Sequence, residues 1–202
     1  MDTNLKEFKE GIKDFRKHVE NMLAEATVIS TSYIFKAVNL YSPSPEGELG
    51  LLDSQFSTGT FIASNRIGIG HQDKSIASGD SLYANDNYKS MEEKDYHKSG
   101  RDADINAEHA KQIAKLDKIT GKENVYITNN TPYAKFIEHL GWHGQEGTWK
   151  FSSHQPYAPF RNGFTHGVDE SKKKIKDLEN KPSQAKSSEF IYLDDLLDDM
   201  PF

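Results

Sequence analysis

The chain has 202 residues, 28% of them charged and 35% hydrophobic, with a formal net charge of -6 and a pI near 5.8. The acidic balance argues against a direct grip on nucleic acid, which favours basic patches. The lack of cysteine excludes disulfides, thiolate metal sites and a thiol nucleophile, and no apolar run approaches membrane-spanning length. A mean hydropathy of -0.76 predicts a modest core with exposed segments or subunit interfaces. The opening MDTNLKEFKE has no apolar signal region, so a soluble protein made and kept in a cytoplasm is expected.

Residues 3 to about 26 read as a long amphipathic helix. Leu5, Phe8, Ile12, Phe15, Val19, Met22, Leu23 and Ala26 recur in steps of three and four, while Lys6, Glu7, Lys9, Glu10, Lys13 and Asp14 fill the other face. The spacing is close to a heptad. Packing on its own domain is expected, with a dedicated dimer helix as the alternative. Val28 to Tyr41 is apolar nearly all round, which predicts a more buried helix continuing the first. Ser42-Pro43-Ser44-Pro45-Glu46-Gly47 ends it in a turn. Glu48 to Asp53 could form a helical turn, and Gln55 to Ala63 is expected as a strand with a bulge at Gly59.

Residues 64–104 are rich in Gly, Ser, Asn, Asp and Lys, and are expected as a long variable loop that orders on assembly. Asp104 or Asn106 can cap a helix running to about Leu116, closed by Thr120-Gly121-Lys122. Val125 to Thr128 is a β-branched and aromatic strand, broken by Asn129 and Asn130. Thr131 is a suitable N-cap and Pro132 a suitable first-turn residue for a short helix carrying Tyr133, Phe136, Ile137 and Leu140, with Gly141 as its stop. Pro156 and Pro159 place Ser152 to Phe164 in an extended or turning segment. Thr165 to Leu178 reads as a charged helix whose thin apolar side is Phe164, Val168, Ile175 and Leu178. After Pro182 the tail alternates aliphatic and acidic residues, as either a docking peptide or a solvated end. The chain is thus expected to be one α+β domain over 1–180, long N-terminal helices packed on a small antiparallel sheet, with an acidic tail over 181–202.

The usual catalytic signatures are missing: there is no G-x-S-x-G, P-loop or G-x-G-x-x-G. Asp102, Asp104 and Asn106 start like a calcium loop, but Ala107 replaces the sixth-position Gly and Ile113 the twelfth-position Glu. His139, His143, His154 and His166 could ligate a transition metal, but Gly141 interrupts the first pair and no H-E-x-x-H frame exists. No cofactor is expected. Trp142, Trp149, Tyr157, Phe160, Arg161 and Phe164 form the densest aromatic patch, suited equally to an interface anchor and a small core.

The middle block VYITNNTPYAKFIEHLGW, preceded by SPSPEGEL and followed by SHQPYAPFRNGF, resembles the neck and tail-completion proteins of tailed bacteriophages. That is the minor tail component family, which includes the lambda minor tail protein Z. Val125, Tyr126, Ile127, Asn129, Asn130, Pro132, Tyr133, Glu138 and Gly141 match its V-Y-I-x-N-N-x-P-Y-x-x-x-L-E-Y-G segment. Ser152, Gln155, Pro156 and Arg161 match its last block loosely, and Pro43 and Gly47 its first. Glu48 stands where the family often has Arg, His139-Leu140 replaces a single aromatic, residues 143–150 look inserted, and the acidic tail has no counterpart.

The resemblance implies a non-enzymatic virion protein assembled in the host cytoplasm. It would form a homo-oligomeric ring, six- or twelve-fold, between portal or head-completion proteins and tail terminator, tube or sheath proteins. Genome DNA would pass through its lumen without specific binding, and an acidic lumen would repel it. Asn129, Asn130, Pro132 and Tyr133 would set the corner between strand and helix, alongside Glu138 and Gly141. Pro156, Tyr157 and Arg161 would contact a neighbour or the portal. The alternatives are an adaptor docking through its acidic tail and a His-ligated metal-dependent hydrolase.

Overall fold

The computed structural model describes residues 2–42, 60–77, 105–132, 134–139 and 158–179. The fold is α+β, helix-rich with one small antiparallel sheet. Helix α1 runs unbroken over Asp2–Tyr41, joining the two helical stretches expected from the sequence. A one-turn helix α2 (Thr60–Ala63) leads into strand β1 (Asn65–Ile69). Helix α3 covers 105–113 and tightens into a 3-10 turn over Ala114–Lys118. Strand β2 is Val125–Asn129, α4 is Ala134–His139 and α5 is Pro159–Glu179.

The sheet has two strands, with Asn65 opposite Asn129, Ile67 opposite Ile127 and Ile69 opposite Val125. Phe35 of α1, Ile67 of β1, and Ile113, Leu116 and Ile119 around α3 make the central cluster beneath it. The outer edge of β1 is closed by side chains. The Ile67 N–H donates to Gln112 Oε1 at 3.1 Å, and Lys115 Nζ donates to the Ile67 carbonyl at 2.9 Å. An edge filled this way offers no template for another strand at that position. Gly68 is required where it stands, because a Cβ there would lie 2.2 Å from the His71 carbonyl oxygen.

Helix α5 packs along α1. Gly163, Gly167 and Ser171 are buried at four-residue intervals, and Ile175 packs on Ile29 and Tyr33. The two glycines let the helix backbones meet, since a Cβ on Gly163 would fall 2.5 Å from Val38 Cα, and one on Gly167 2.4 Å from Ile34 Cα. As α5 advances its partners on α1 retreat, so the helices are antiparallel.

Five expectations are corrected. The strand over Gln55 to Ala63 is a helical turn in its described part, Thr60–Ala63. Two of its carbonyls are taken by distant side chains, Phe61 O by Asn129 and Ile62 O by His109, and Ala63 O is taken locally by Arg66. These tertiary partners override the alternating pattern. The long loop over 64–104 begins with an ordered strand, β1, and 70–77 folds back on the sheet; 78–104 lie outside the described residues. Helix α5 starts at Pro159, not Thr165, and its inner face is the small-residue row, leaving Phe164 58% exposed. Helix α4 starts at Ala134, after a turn closed by the Ala134 N–H on the Thr131 carbonyl. Finally, the described residues do not cover α1 throughout: residues 4–18 are all exposed, leaving Leu5, Phe8, Ile12 and Phe15 bare among them. The expected turns over 42–47 and 48–53 fall, beyond Ser42, outside the described residues.

Candidate functional site

Two arrangements bring the sequence-selected residues together. The first is the corner after β2. The Asn129 amide donates to Phe61 O at 2.7 Å and Asn65 Oδ1 at 2.9 Å, while its own oxygen accepts from the Thr131 N–H at 3.1 Å and hydroxyl at 2.8 Å. Asn65 in turn donates to Asn39 Oδ1 on α1 and to Ser42 Oγ just past its end. Asn129 therefore ties α2, both strands and the end of α1 into one chain of bonds, and a buried network of this kind fixes geometry only when every member is satisfied. Thr131 spends its hydroxyl on Asn129. Asn130 reaches the other way, donating to Asp73 O at 3.0 Å beside Thr128 Oγ1 at 2.7 Å, which pins the 70–77 segment to β2. Pro132 is exposed in the turn. Tyr133, Gly141, Pro156 and Tyr157 lie outside the described residues.

Charged groups around this corner are paired. Arg66 is buried, with Nη1 on Ala63 O at 2.6 Å, Nε on Ser75 Oγ at 2.9 Å and Nη2 3.7 Å from Glu108. Lys115 joins Asp73 Oδ2 at 2.7 Å. Burial pushes the Asp73 carboxyl up, but the Lys115 ammonium and the Ser75 N–H and hydroxyl outweigh it and hold it well below the usual carboxylate range. His109 lies edge-on to Phe35 and is pushed down mainly by burial, with Arg66 adding to the effect against Ile62 O and Glu108. A neutral ring with its Nε2 proton on the Ile62 carbonyl fits these surroundings. These groups are bonded to each other and to backbone, which is a structural arrangement.

The second arrangement is a groove of about 690 Å³ between α1, β2 and the start of α5. Val125 and Ile127 form part of its floor, Leu23 and Ile34 line the α1 side, and Phe160, Arg161 and Phe164 form the α5 wall. That wall is set by Glu138. Its carboxylate accepts the Phe160 N–H at 2.9 Å and the Arg161 N–H at 3.1 Å, capping the first turn of α5 from a different helix. An anion at a helix N-terminus satisfies orphan amides and meets the positive end of the helix dipole. Pro159 at the first helical position needs no such donor.

Of the aromatic patch, Phe160 and Phe164 with Arg161 lie in this groove, and the remaining three members fall outside the described residues. Of the four histidines, His166 packs edge-on to Tyr41, His139 is exposed on α4, and His143 and His154 are outside the described residues. Among the described residues no group of three His, Asp or Glu could hold a metal ion, and no helix is long and apolar enough to cross a membrane. Sequence reasoning missed the row at Gly163, Gly167 and Ser171 that brings α5 to the groove. Its signal was small residues spaced by four. No protein-family model, curated protein or solved structure matches the chain.

Proposed function

We propose that this chain is a non-enzymatic structural subunit of a tailed-phage neck, a tail-completion component that assembles into a homo-oligomeric ring. What supports the reading is a meeting in space. The two blocks that carry the resemblance are separate in sequence, yet Val125 and Ile127 of one and Phe160, Arg161 and Phe164 of the other line the same groove. Glu138 of the first block caps the helix that begins in the second. A ring needs a heterologous contact, one patch against a different patch of the next copy. An open apolar groove edged by an exposed Phe and an Arg suits one half of such a contact. Portal-side and tail-side proteins would flank the ring, with the genome passing through an acidic lumen, and the assembly needs no cofactor.

The test is Phe164→Asp in the purified full chain, followed by light scattering with and without isolated portals or tails. Phe164 is 58% exposed, so the fold and helix content should be kept. The wild-type chain should form a six- or twelve-fold species, alone or on those partners, and the variant should not. A wild-type monomer indifferent to both partners overturns the proposal, as does a variant that assembles normally.

A further inference from the structure

Helix α1 carries an apolar seam that the described fold leaves bare. Leu5, Phe8, Ile12 and Phe15 are 54%, 65%, 53% and 69% exposed. With Val19 they keep an unbroken heptad spacing, the pattern of a helix that expects a partner along its length. On a helical wheel the positions that border this seam on one flank are Lys9 and Arg16, with Lys6 and Lys13 behind them and Asp2 and Glu20 at the two ends of the same flank. The other border holds the uncharged Asn4 and Gly11 with His18, while Glu7 and Asp14 stand behind it and Glu10 lies opposite the seam. Arg16 also pairs with Glu20 at 3.1 Å. The seam is thus an apolar track with a positive border on one side.

One segment of the same chain has the opposite character. Phe190, Leu193, Leu197 and Met200 recur at steps of three, four and three, while Glu189, Asp194, Asp195, Asp198 and Asp199 supply only negative charge. This segment lies outside the described residues, but the place from which it departs is fixed. Helix α5 is antiparallel to α1, with Gly167 against Ile34. Twelve residues further on, at about 1.5 Å per residue on both helices, Glu179 comes level with about Met22. That is the foot of the bare seam, and the chain leaves α5 travelling toward the N-terminus of α1. Residues 180–188 can span up to about 30 Å, whereas Val19 to Leu5 covers only about 21 Å. The connecting stretch is therefore long enough for the segment 189–200 to reach any part of the seam.

We infer that residues 189–200 dock on the exposed seam of α1 in their own chain, setting Phe190, Leu193 and Leu197 against Phe15, Ile12 and Phe8 with their carboxylates along the Lys6–Arg16 border. Burial of apolar surface holds the contact, and opposite charge selects the side of the helix and the direction of approach. The docking is intramolecular because the connecting stretch is short, which gives the segment a local concentration in the millimolar range. It also keeps a naked amphipathic helix from meeting other copies until a competitor displaces the cover. The inference stands independently of the phage reading.

The chain has no cysteine, so paired substitutions give a clean cross-linking assay in the full-length protein. Gly11→Cys adds a thiol beside the seam where nothing lies within 4 Å. It is paired in turn with Leu196→Cys and Tyr192→Cys under mild oxidation. The expected result is an intramolecular disulfide whose yield does not change with protein concentration and is greater for Leu196→Cys. Adding Lys6→Glu, Lys9→Glu, Lys13→Glu and Arg16→Glu, all on the solvent-facing stretch of α1, should cut that yield several-fold. Raising salt toward 1 M, where the screening length falls to about 3 Å, should cut it in the same direction. Disulfide-linked dimers that grow with concentration would assign the seam to a second copy and overturn the inference. So would a yield that ignores charge reversal, or no cross-link from either pair.

Discussion

Gly167→Ala tests whether α5 lies as close to α1 as described. The added methyl would sit 2.4 Å from Ile34 Cα, 2.7 Å from Ile34 N and 2.9 Å from the Tyr33 carbonyl carbon. Favourable carbon contacts lie near 3.5 to 4.0 Å, so the helices must part by roughly 1 Å. All three neighbours are backbone, and no side chain can swing aside. Overpacking of this kind costs about 1–3 kcal/mol, and a clash with backbone belongs at the upper end. Alanine returns about 1 kcal/mol through its better helix propensity. The net is a loss of about 2 kcal/mol, or a fall in Tm of about 4–8 °C for a chain of this size. Urea unfolding followed by far-ultraviolet circular dichroism measures it. Gly11→Ala is the control, because that position has open space around it, and the same chemical change should there raise helicity. A Gly167→Ala midpoint equal to or above wild type would refute the close helix contact.

Other outcomes concern the corner and the core. Asn129→Asp keeps the shape but replaces a donor by a charge facing Phe61 O and Asn65 Oδ1, and should cost about 2–3 kcal/mol in urea unfolding. His109 gives a pH dependence. Burial lowers its folded pKa below the ordinary 6.5, so the unfolded chain takes up a proton that the folded chain refuses. Its contribution is full above 6.5 and is lost as pH falls through that value toward the folded pKa. Unfolding free energy measured along this window should decline, and His109→Asn should flatten the decline.

The elements legible in the sequence are those whose signal is local. Val125 to Thr128 is β-branched and aromatic without interruption, and α1 repeats its apolar residues every three or four positions. Strand β1 was hidden because NRIGI holds only two large apolar residues. What makes it a strand is a partner 64 positions away and the Gln112 and Lys115 side chains that close its other edge. The start of α5 was hidden for a related reason, since its cap, Glu138, belongs to a different helix. The inner face of α5 carries glycine where a hydropathy pattern looks for bulk. Of the candidate site, the Asn129 corner was legible because Asn after a strand signals a turn. The groove was not, because its walls come from three elements that only the α1–α5 contact brings together.

That contact also sets a timetable for biogenesis. Ile29 and Tyr33 are covered by Ile175, which lies near the opposite end of the chain. A ribosome adding about 5–20 residues per second needs roughly 7–28 s to travel from residue 41 to residue 179. Throughout that interval the inner face of α1 has been made but its lid has not. The sheet waits too, because β1 emerges well before β2. The nascent chain therefore cannot complete its core one piece at a time, and the inner face of α1 stays open until α5 has been made. A molecular chaperone that shelters α1 during translation would act on the face later closed by Gly163, Gly167 and Ile175.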